Sequence, residues 1–366
     1  MKSLCLLFIF FDCTLTKYLL GEKNEINILK KELKVLQEAG RQLKTKKNIE
    51  DAHSLLFSKY VTLLNRPYAS DTKKWKKRLN IFKESLGRHQ LLNNYEVLYN
   101  GTAKYGINQY SDWSLEEFKN YRLTRDLGMF SDFSTQKIYL NNENEICSIQ
   151  KKAYPNSKDW IGMSTKIKDQ KNCGSCWAFV ASEQVETYLA IAGQPIVELS
   201  PQELISCSPS MGCHGGNTCT ALSWMKQTRS CLKTEKEYPY EEKVSKCLYS
   251  NCTTSDARIY AVCGCQSFVG NEENMIRVLS QKGPLSVNVD AVSWQDYIGG
   301  IIQHHCTNKD INHAVQLIGY NLDDGLVPYF VVRNQWGPLF GEDGYLRIKY
   351  GGNICGVAEQ PSFIVA

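Results

Sequence analysis

The sequence predicts an α+β protein in which a two-lobed domain, one lobe helical and the other a β-barrel, follows a separate helical N-terminal region. Three observations point there. Residues 22–125 carry leucines and aromatics at helical spacing among many lysines and glutamates. Cys176 to Gly193 and Ser200 to Cys207 read as helices. Beyond Pro284 the apolar residues gather instead in short runs rich in strand formers. A chain of 366 residues, 43% hydrophobic and 22% charged, is long enough for more than one folding unit and ordinary enough in composition to be globular.

In chain order, Lys2 and the apolar run Leu4 to Phe11 predict a signal peptide over residues 1–20, cleaved between Cys13 and Gly21. The run is too short to span a bilayer as a helix and no longer one follows, so no membrane insertion is expected. The 15 cysteines suit an oxidising compartment, which places the expected destination in the lysosome or outside the cell, by way of the secretory pathway. A net charge of +5 with both signs plentiful gives no reason to expect nucleic acid. Residues 21–125 predict a helical domain. Leu29, Leu33, Leu36 and Leu43 share a face, as do Leu55, Leu56, Tyr60 and Leu63, then Trp75, Leu79, Phe82 and Leu86, while the basic run Asp71 to Arg78 reads as a solvated face. Residues 126–152 are polar and aperiodic, a linker that a protease can reach. In residues 153–366, Ser200 and Pro201 form a cap and first turn with Glu203 expected to complete a capping box. Strands are expected at Pro284 to Val289, His313 to Tyr320, Tyr329 to Arg333 and Tyr345 to Tyr350.

The chemistry centres on Gln170 to Phe179, Q-K-N-C-G-S-C-W-A-F. Cys176 opens a helix whose Trp177, Ala178, Phe179, Ala181, Val185, Leu189 and Ala192 are spaced for burial. Unpaired N–H groups and the helix dipole favour an anion there, so a thiol with a free pKa of about 8.5 can ionise below it. A bare C-x-x-C is equally a redox pair or half a zinc site. A redox pair would follow a strand, and zinc would want a second close pair, offered only ambiguously by Cys263 and Cys265. A nucleophile needs a distant base. His313, heading a strand-like run in N-H-A-V-Q-L-I-G-Y, can supply one, with Asn334 in V-V-R-N-Q-W-G as a further polar partner. Each motif alone is weak, but a cysteine, a histidine and an asparagine in this order form a cysteine-protease pattern.

On these residues the chain resembles the papain-like cysteine peptidases over most of residues 153–366, and the run Asp290 to Cys306 resembles one branch of that family. The resemblance implies Cys176 as nucleophile and His313 as general base and later acid, resting as a thiolate-imidazolium pair. It implies Asn334 as the orienter of His313, Trp336 as the shield of that hydrogen bond, and Gln170 as the side-chain donor of the oxyanion hole. Gln335 stands where the family has serine and Phe340 where a second tryptophan is usual, and both are expected to be local packing changes. His304 and His305 are expected to be loop histidines without a catalytic part. Residues 21–125 resemble the family's inhibitory propeptide. Arg78, Phe82 and Asn93 keep one motif, in which Lys74, Ser85 and His89 replace the usual residues, and Gly106, Asn108, Tyr110 and Asp112 keep a second. Such a propeptide runs through the cleft, and acid is expected to release it by protonating the carboxylates that hold it.

The same resemblance implies disulfides Cys173 with Cys213, Cys207 with Cys247 and Cys306 with Cys355. It leaves Cys219, Cys231, Cys252, Cys263 and Cys265, of which Cys219, beside Leu222 and Trp224, is expected to be a buried free thiol. A pocket for the second side chain before the scissile bond is expected from Thr218, Asn288, Ile311, Ala314 and Gln360. Its polar character predicts weak binding of large aliphatic side chains there. Asn100 and Asn251 are glycosylation sequons. Protein and peptide substrates, the chain's own propeptide and cystatin-like inhibitors are the implied partners of a monomer that needs no cofactor or metal. Two other classes share the motifs: acyl transfer to an amine, and a binding protein that has lost turnover.

Overall fold

The computed structural model describes residues 24–41, 49–124, 149–229, 231–248, 261–263, 271–323, 325 and 327–365. The expected signal peptide, most of the linker, Asn251, Cys252 and Cys265 lie outside them. The chain divides into two compact units, the first ending at Leu91 and including Gly106–Trp113, the second comprising Leu92–Tyr105 and Ser114–Ala366.

The first unit is built from α1 (24–41), α2 (Ile49–Leu63) and the greater part of α3 (Thr72–Leu98). Its core joins Leu33 and Leu36 of α1 to Leu56, Phe57, Tyr60 and Val61 of α2, Leu79 and Phe82 of α3, and Ile107. The helical spacing is therefore real burial, with Phe57 packed 5.2 Å from both Trp75 and Phe82 between ring centroids. Leu55 departs from expectation and faces solvent, 61% exposed, because its neighbour Leu56 takes the core-facing position. Both motifs of the helical region meet at Asp112. Its carboxylate, buried, accepts from Tyr60 Oη at 2.9 Å, from Tyr68 Oη and from the Arg66 guanidinium at 2.8 Å. Arg78 donates to its backbone carbonyl at 2.8 Å.

In the second unit, β1 (Lys104–Tyr105) and α4 (Leu115–Arg122) precede β2 (Ser157–Asp159). The helices that follow are α5 (Cys176–Ile191), α6 (Pro201–Cys207), α7 (Thr218–Thr228) and α8 (Glu272–Gln281). Strands are β3 (Ala261–Cys263), β4 (Leu285–Val289), β5 (Tyr297–Gly299), β6 (Ile301–Ile302), β7 (His313–Asn321), β8 (Tyr329–Arg333), β9 (Tyr345–Lys349) and β10 (Phe363–Val365). Helices thus gather in the first half and strands in the second, as the apolar patterning predicts. The strand-rich lobe is a six-stranded sheet in the order β2-β7-β8-β9-β6, with β4 on β7. Its pairs are antiparallel except β6 with β9.

Local chemistry explains the helix ends. Ser200 Oγ accepts from Glu203 N with Pro201 in the first turn. Only this half of the expected capping box forms: the Ser200 N–H donates to Lys233 O at 2.8 Å, and the Glu203 carboxylate accepts from Lys233 N at 2.9 Å. A full box occurs at α4 instead, where Ser114 and Glu117 bond each other's backbone N–H. The S-x-x-E signature was legible there. Buried Glu186 anchors α5 to its surroundings by accepting from Lys168 Nζ, Thr165 Oγ1 and Leu199 N.

The arrangement at Asp112 has a measurable consequence. Asp112→Ala strands the Arg66 charge, and removing one partner of such a buried pair costs about 3 kcal/mol; the first denaturation transition of the chain should move by that amount, and an unmoved transition would refute the role given to Asp112.

Candidate active site

Cys176 is the first residue of α5 and His313 the first residue of β7, and the helix packs against the strand. Gly174 permits the turn into α5: a Cβ there would lie 2.7 Å from the Cys213 carbonyl oxygen, to which Gly174 N already donates at 2.9 Å. The Cys176 thiol is fully buried and accepts from Ala314 N at 3.4 Å, a contact between residues 138 apart in sequence. The backbone N–H groups of Cys176 and Trp177 also face the sulfur. Among the described residues Cys176 is the free cysteine.

His313 Nε2 bonds Asn334 Oδ1 at 2.8 Å, and His313 Nδ1 makes no hydrogen bond to a described residue. The Trp336 ring stacks on the imidazole, centroids 4.7 Å apart, and covers the His313–Asn334 pair. Asn334 itself is placed by its N–H donating to Gly344 O at 3.1 Å; Gly344 has φ +90°, and a Cβ on it would run into Ile167 at 2.5 Å. Trp336 Nε1 donates to Gln170 Oε1 at 3.2 Å, which turns the Gln170 amide N–H groups toward Cys173 O at 2.9 Å and Arg122 O at 3.3 Å.

Arg122 belongs to the segment that precedes the linker, and that segment lies in the site. Thr124 N donates to Asn312 O at 2.9 Å and its hydroxyl to His214 O at 3.2 Å; Arg122 bonds Asp169 at 2.7 Å; Phe118 of α4 packs edge-on against Trp336 at 5.2 Å. The cover changes the electrostatics. Burial pushes the Cys176 thiol up to about 11 and the His313 imidazole down to about 4. Burial therefore disfavours the charged form of both groups in this covered state.

Of the expected pocket residues, Ala314 is the one whose N–H meets the thiol. Ala314 pairs with Asn288 across β7 and β4, Asn288 Nδ2 donates to Gln360 Oε1 at 2.7 Å, Thr218 Oγ1 donates to Trp177 O at 3.3 Å, and Ile311 packs on the core cluster that contains Cys176. Disulfides join Cys173 to Cys213, Cys207 to Cys247 and Cys306 to Cys355. Cys219 corrects the sequence reading: it is disulfide-bonded, as is Cys231. An apolar helix face accommodates half-cystines as readily as free thiols, so its neighbours could not tell the two apart. Asn100 is exposed at a left-handed turn.

Two features escaped the sequence reading. His305 Nε2 lies 3.2 Å from Glu96 Oε1, and its ring packs 4.5 Å from Tyr95 and 5.6 Å from Tyr105, so the loop before Cys306 grips the segment that carries β1. Gln335, in place of serine, is fully buried and donates to Ala314 O at 2.7 Å. Phe340 does pack locally, against Trp336 at 4.8 Å and Tyr297 at 6.1 Å.

Comparison with known proteins agrees with this architecture. Residues 154–365 match the papain family cysteine protease domain, and residues 57–118 match the cathepsin propeptide inhibitor domain. Cathepsin O of Homo sapiens is 40% identical over 286 residues, covering 77% of this chain and 86% of the relative; cathepsin O of Mus musculus is 36% identical, covering 76% and 86%. Among solved structures, digestive procathepsin L2 of Tenebrio molitor superposes with a TM-score of 0.74 at 28% identity, covering 86% of this chain and 100% of that one. Procathepsin L 3 from the same larval midgut gives 0.70 at 28%, covering 86% and 99%. A papain-like α+β fold with a helical propeptide ahead of it, a protease domain spanning more than half of the sequence and cathepsin relatives over most of it establish that the chain belongs to the papain family of cysteine proteases.

Proposed function

We propose that the chain is a cathepsin O-like endopeptidase, made as a preproenzyme, that hydrolyses peptide bonds through an acyl-enzyme on Cys176. The observation that carries this reading is the buried His313 Nε2–Asn334 Oδ1 bond, which leaves Nδ1 as the imidazole atom available to the thiol. With the cleft open, the Cys176 proton passes to His313, and the sulfur attacks the scissile carbonyl carbon. The carbonyl π electrons move onto oxygen, held by the Gln170 amide and the Cys176 N–H. Collapse expels the amine with a proton from His313. Water then adds to the thioester with its proton going to His313, and the acid leaves as Cys176 is restored. Asn334 keeps the imidazole in the orientation that serves both steps.

Gln170 already donates to a backbone carbonyl, that of Arg122, which supports its reading as the oxyanion donor and the reading of the propeptide as an inhibitor. Removal of residues 126–152 and everything before them, leaving a mature chain from about residue 153, would free that donor. The secretory route to the lysosome or the exterior, glycosylation at Asn100 and Asn251, control by cystatin-like inhibitors and a monomeric state belong to the same reading. It rests there on the cysteine content, the N-terminal run and the family. Asn288 Nδ2 donates to Gln360 Oε1 at the proposed pocket, so a large aliphatic side chain meets a polar wall rather than an apolar one.

Fluorogenic peptides offered to the processed, reduced enzyme test the whole scheme. Hydrolysis should vanish in Cys176→Ser and in His313→Ala, and should be weak for peptides with Leu or Phe at the second position before the cut. Acyl transfer to added amines without net hydrolysis, or silence from correctly processed protein, would sink the reading in favour of a transferase or a binding protein.

The signs of the pH effects differ among the buried groups. His313 is depressed from 6.5 to about 4, so it stabilises the covered state above pH 6.5 and withdraws that support as pH falls through about 4. His305, lowered by burial and by His304, acts in the same sense. Glu96 acts oppositely: burial raises it from 4.5 to about 7, so its contribution is present in acid and lost as pH rises through about 7. In this reading the two histidines favour release in acid and Glu96 opposes it, beside the carboxylates that the sequence reading expects acid to protonate. Propeptide dissociation, followed with an uncleavable Cys176→Ser proenzyme, should accelerate from pH 6.5 to 4. Glu96→Gln should keep that acceleration while holding the propeptide more tightly near pH 8; release lost in Glu96→Gln would contradict the assignment.

A further inference from the structure

Gln335 touches every segment that supplies a reacting group. Its N–H donates to Asn334 Oδ1 at 2.9 Å, the atom that also accepts from His313. Its carbonyl accepts from Gln170 N at 2.9 Å. Its side chain, fully buried, donates through Nε2 to Ala314 O at 2.7 Å and Cys176 O at 3.4 Å. The two carbonyl acceptors decide which end of the amide faces them, since reversing it would set three carbonyl oxygens against one another. Both backbone contacts of a serine would survive at this position. A hydroxyl on Cβ would nevertheless end short of the two carbonyls, so the bridge between the nucleophile's helix and the base's strand belongs to the longer side chain.

We propose that Gln335 is a positioning residue that sets the separation of Cys176 from His313 by tying the first residue of α5 to the second residue of β7. The inference rests on the proposed Cys176–His313 chemistry. Its physical basis is that proton transfer and attack depend steeply on geometry, whereas the sheet and helix that carry the two groups are joined at this level by few polar contacts. Ala314 N already contacts the sulfur at 3.4 Å, and a Gln335 bond to Ala314 O holds that residue from its other side. The residue therefore does more than fill space left by a serine.

The test uses the processed enzyme and the variants Gln335→Ser and Gln335→Glu. Gln335→Ser removes the bridge, and kcat should fall by on the order of tenfold to a hundredfold with KM unchanged. The pH profile for alkylation of Cys176 by iodoacetamide should move to higher pH by about one unit. Gln335→Glu keeps the length but donates only while protonated, so its kcat should recover in part as pH falls, in a way the serine variant's does not. A merely structural role would lower the unfolding temperature and leave the alkylation profile and the pH dependence alone. Wild-type kcat and alkylation profile in both variants would overturn the proposal, as would a Gln335→Glu enzyme that shows no acid recovery. A wild-type enzyme silent toward peptides would instead refute the peptidase reading, and the alkylation profile would still decide the part of Gln335.

Discussion

The meeting of the Ala314 N–H with the Cys176 sulfur is the contact on which the rest of the molecule depends. It is where a helix from the first half of the protease domain reaches a strand from the second half. A buried helix can approach a sheet this closely only when both surfaces are small or apolar at the point of contact. Ala178, Ala181 and Val185 on the helix and Ala314 on the strand are all buried in one cluster and meet that condition. Around the contact, polar groups are used where direction matters. Asn334 sets the imidazole, Gln170 presents an amide, and Trp336 joins the two by stacking on one and donating to the other.

Burial of a site like this has opposite effects on binding geometry and on reactivity. It excludes water from the His313–Asn334 bond, which strengthens the bond's hold on the ring. Yet complete exclusion of solvent also disfavours charge on both the thiol and the imidazole. The segment containing Arg122 and Thr124 lies against the site, with backbone carbonyl and N–H groups placed on Gln170 and Asn312. In the proposed reading its carbonyl takes the place of the oxyanion on Gln170.

The hold on residues 95–105 and 115–124 is spread over dissimilar contacts: an ion pair at Asp169, aromatic packing at Trp336, a short antiparallel pairing of β1 with β5, and the Glu96–His305 approach. Neutral histidines and a protonated carboxylic acid respond to pH in opposite senses, so the sign of the acid response is a sum over environments. Residue type alone does not reveal it.

The elements legible in the sequence were those whose cause is local. A helix beginning at Cys176, the Ser200–Pro201 cap and the β4, β7, β8 and β9 runs follow from spacing and turn chemistry within a few residues. The Cys-His-Asn order marked out the candidate site residues, because that chemistry admits few residue types. What lay outside local reach was decided by tertiary structure. Leu55 and Leu56 are equally apolar, and packing against Phe82 and its neighbours determined which was buried. Cys219 reads the same on an apolar helix whether free or bonded, and the fold supplied its bonded state. Gln335 reads as a packing change until the fold sets Ala314 O and Cys176 O within reach of its amide. Sequence by itself determined the class of fold, its order of helices and strands and the candidate site residues, since each is written in short-range patterns. Tertiary structure alone decided which titratable groups are buried, the direction in which burial shifts them and the partners of buried amides, since those depend on desolvation and on groups brought together from distant parts of the chain.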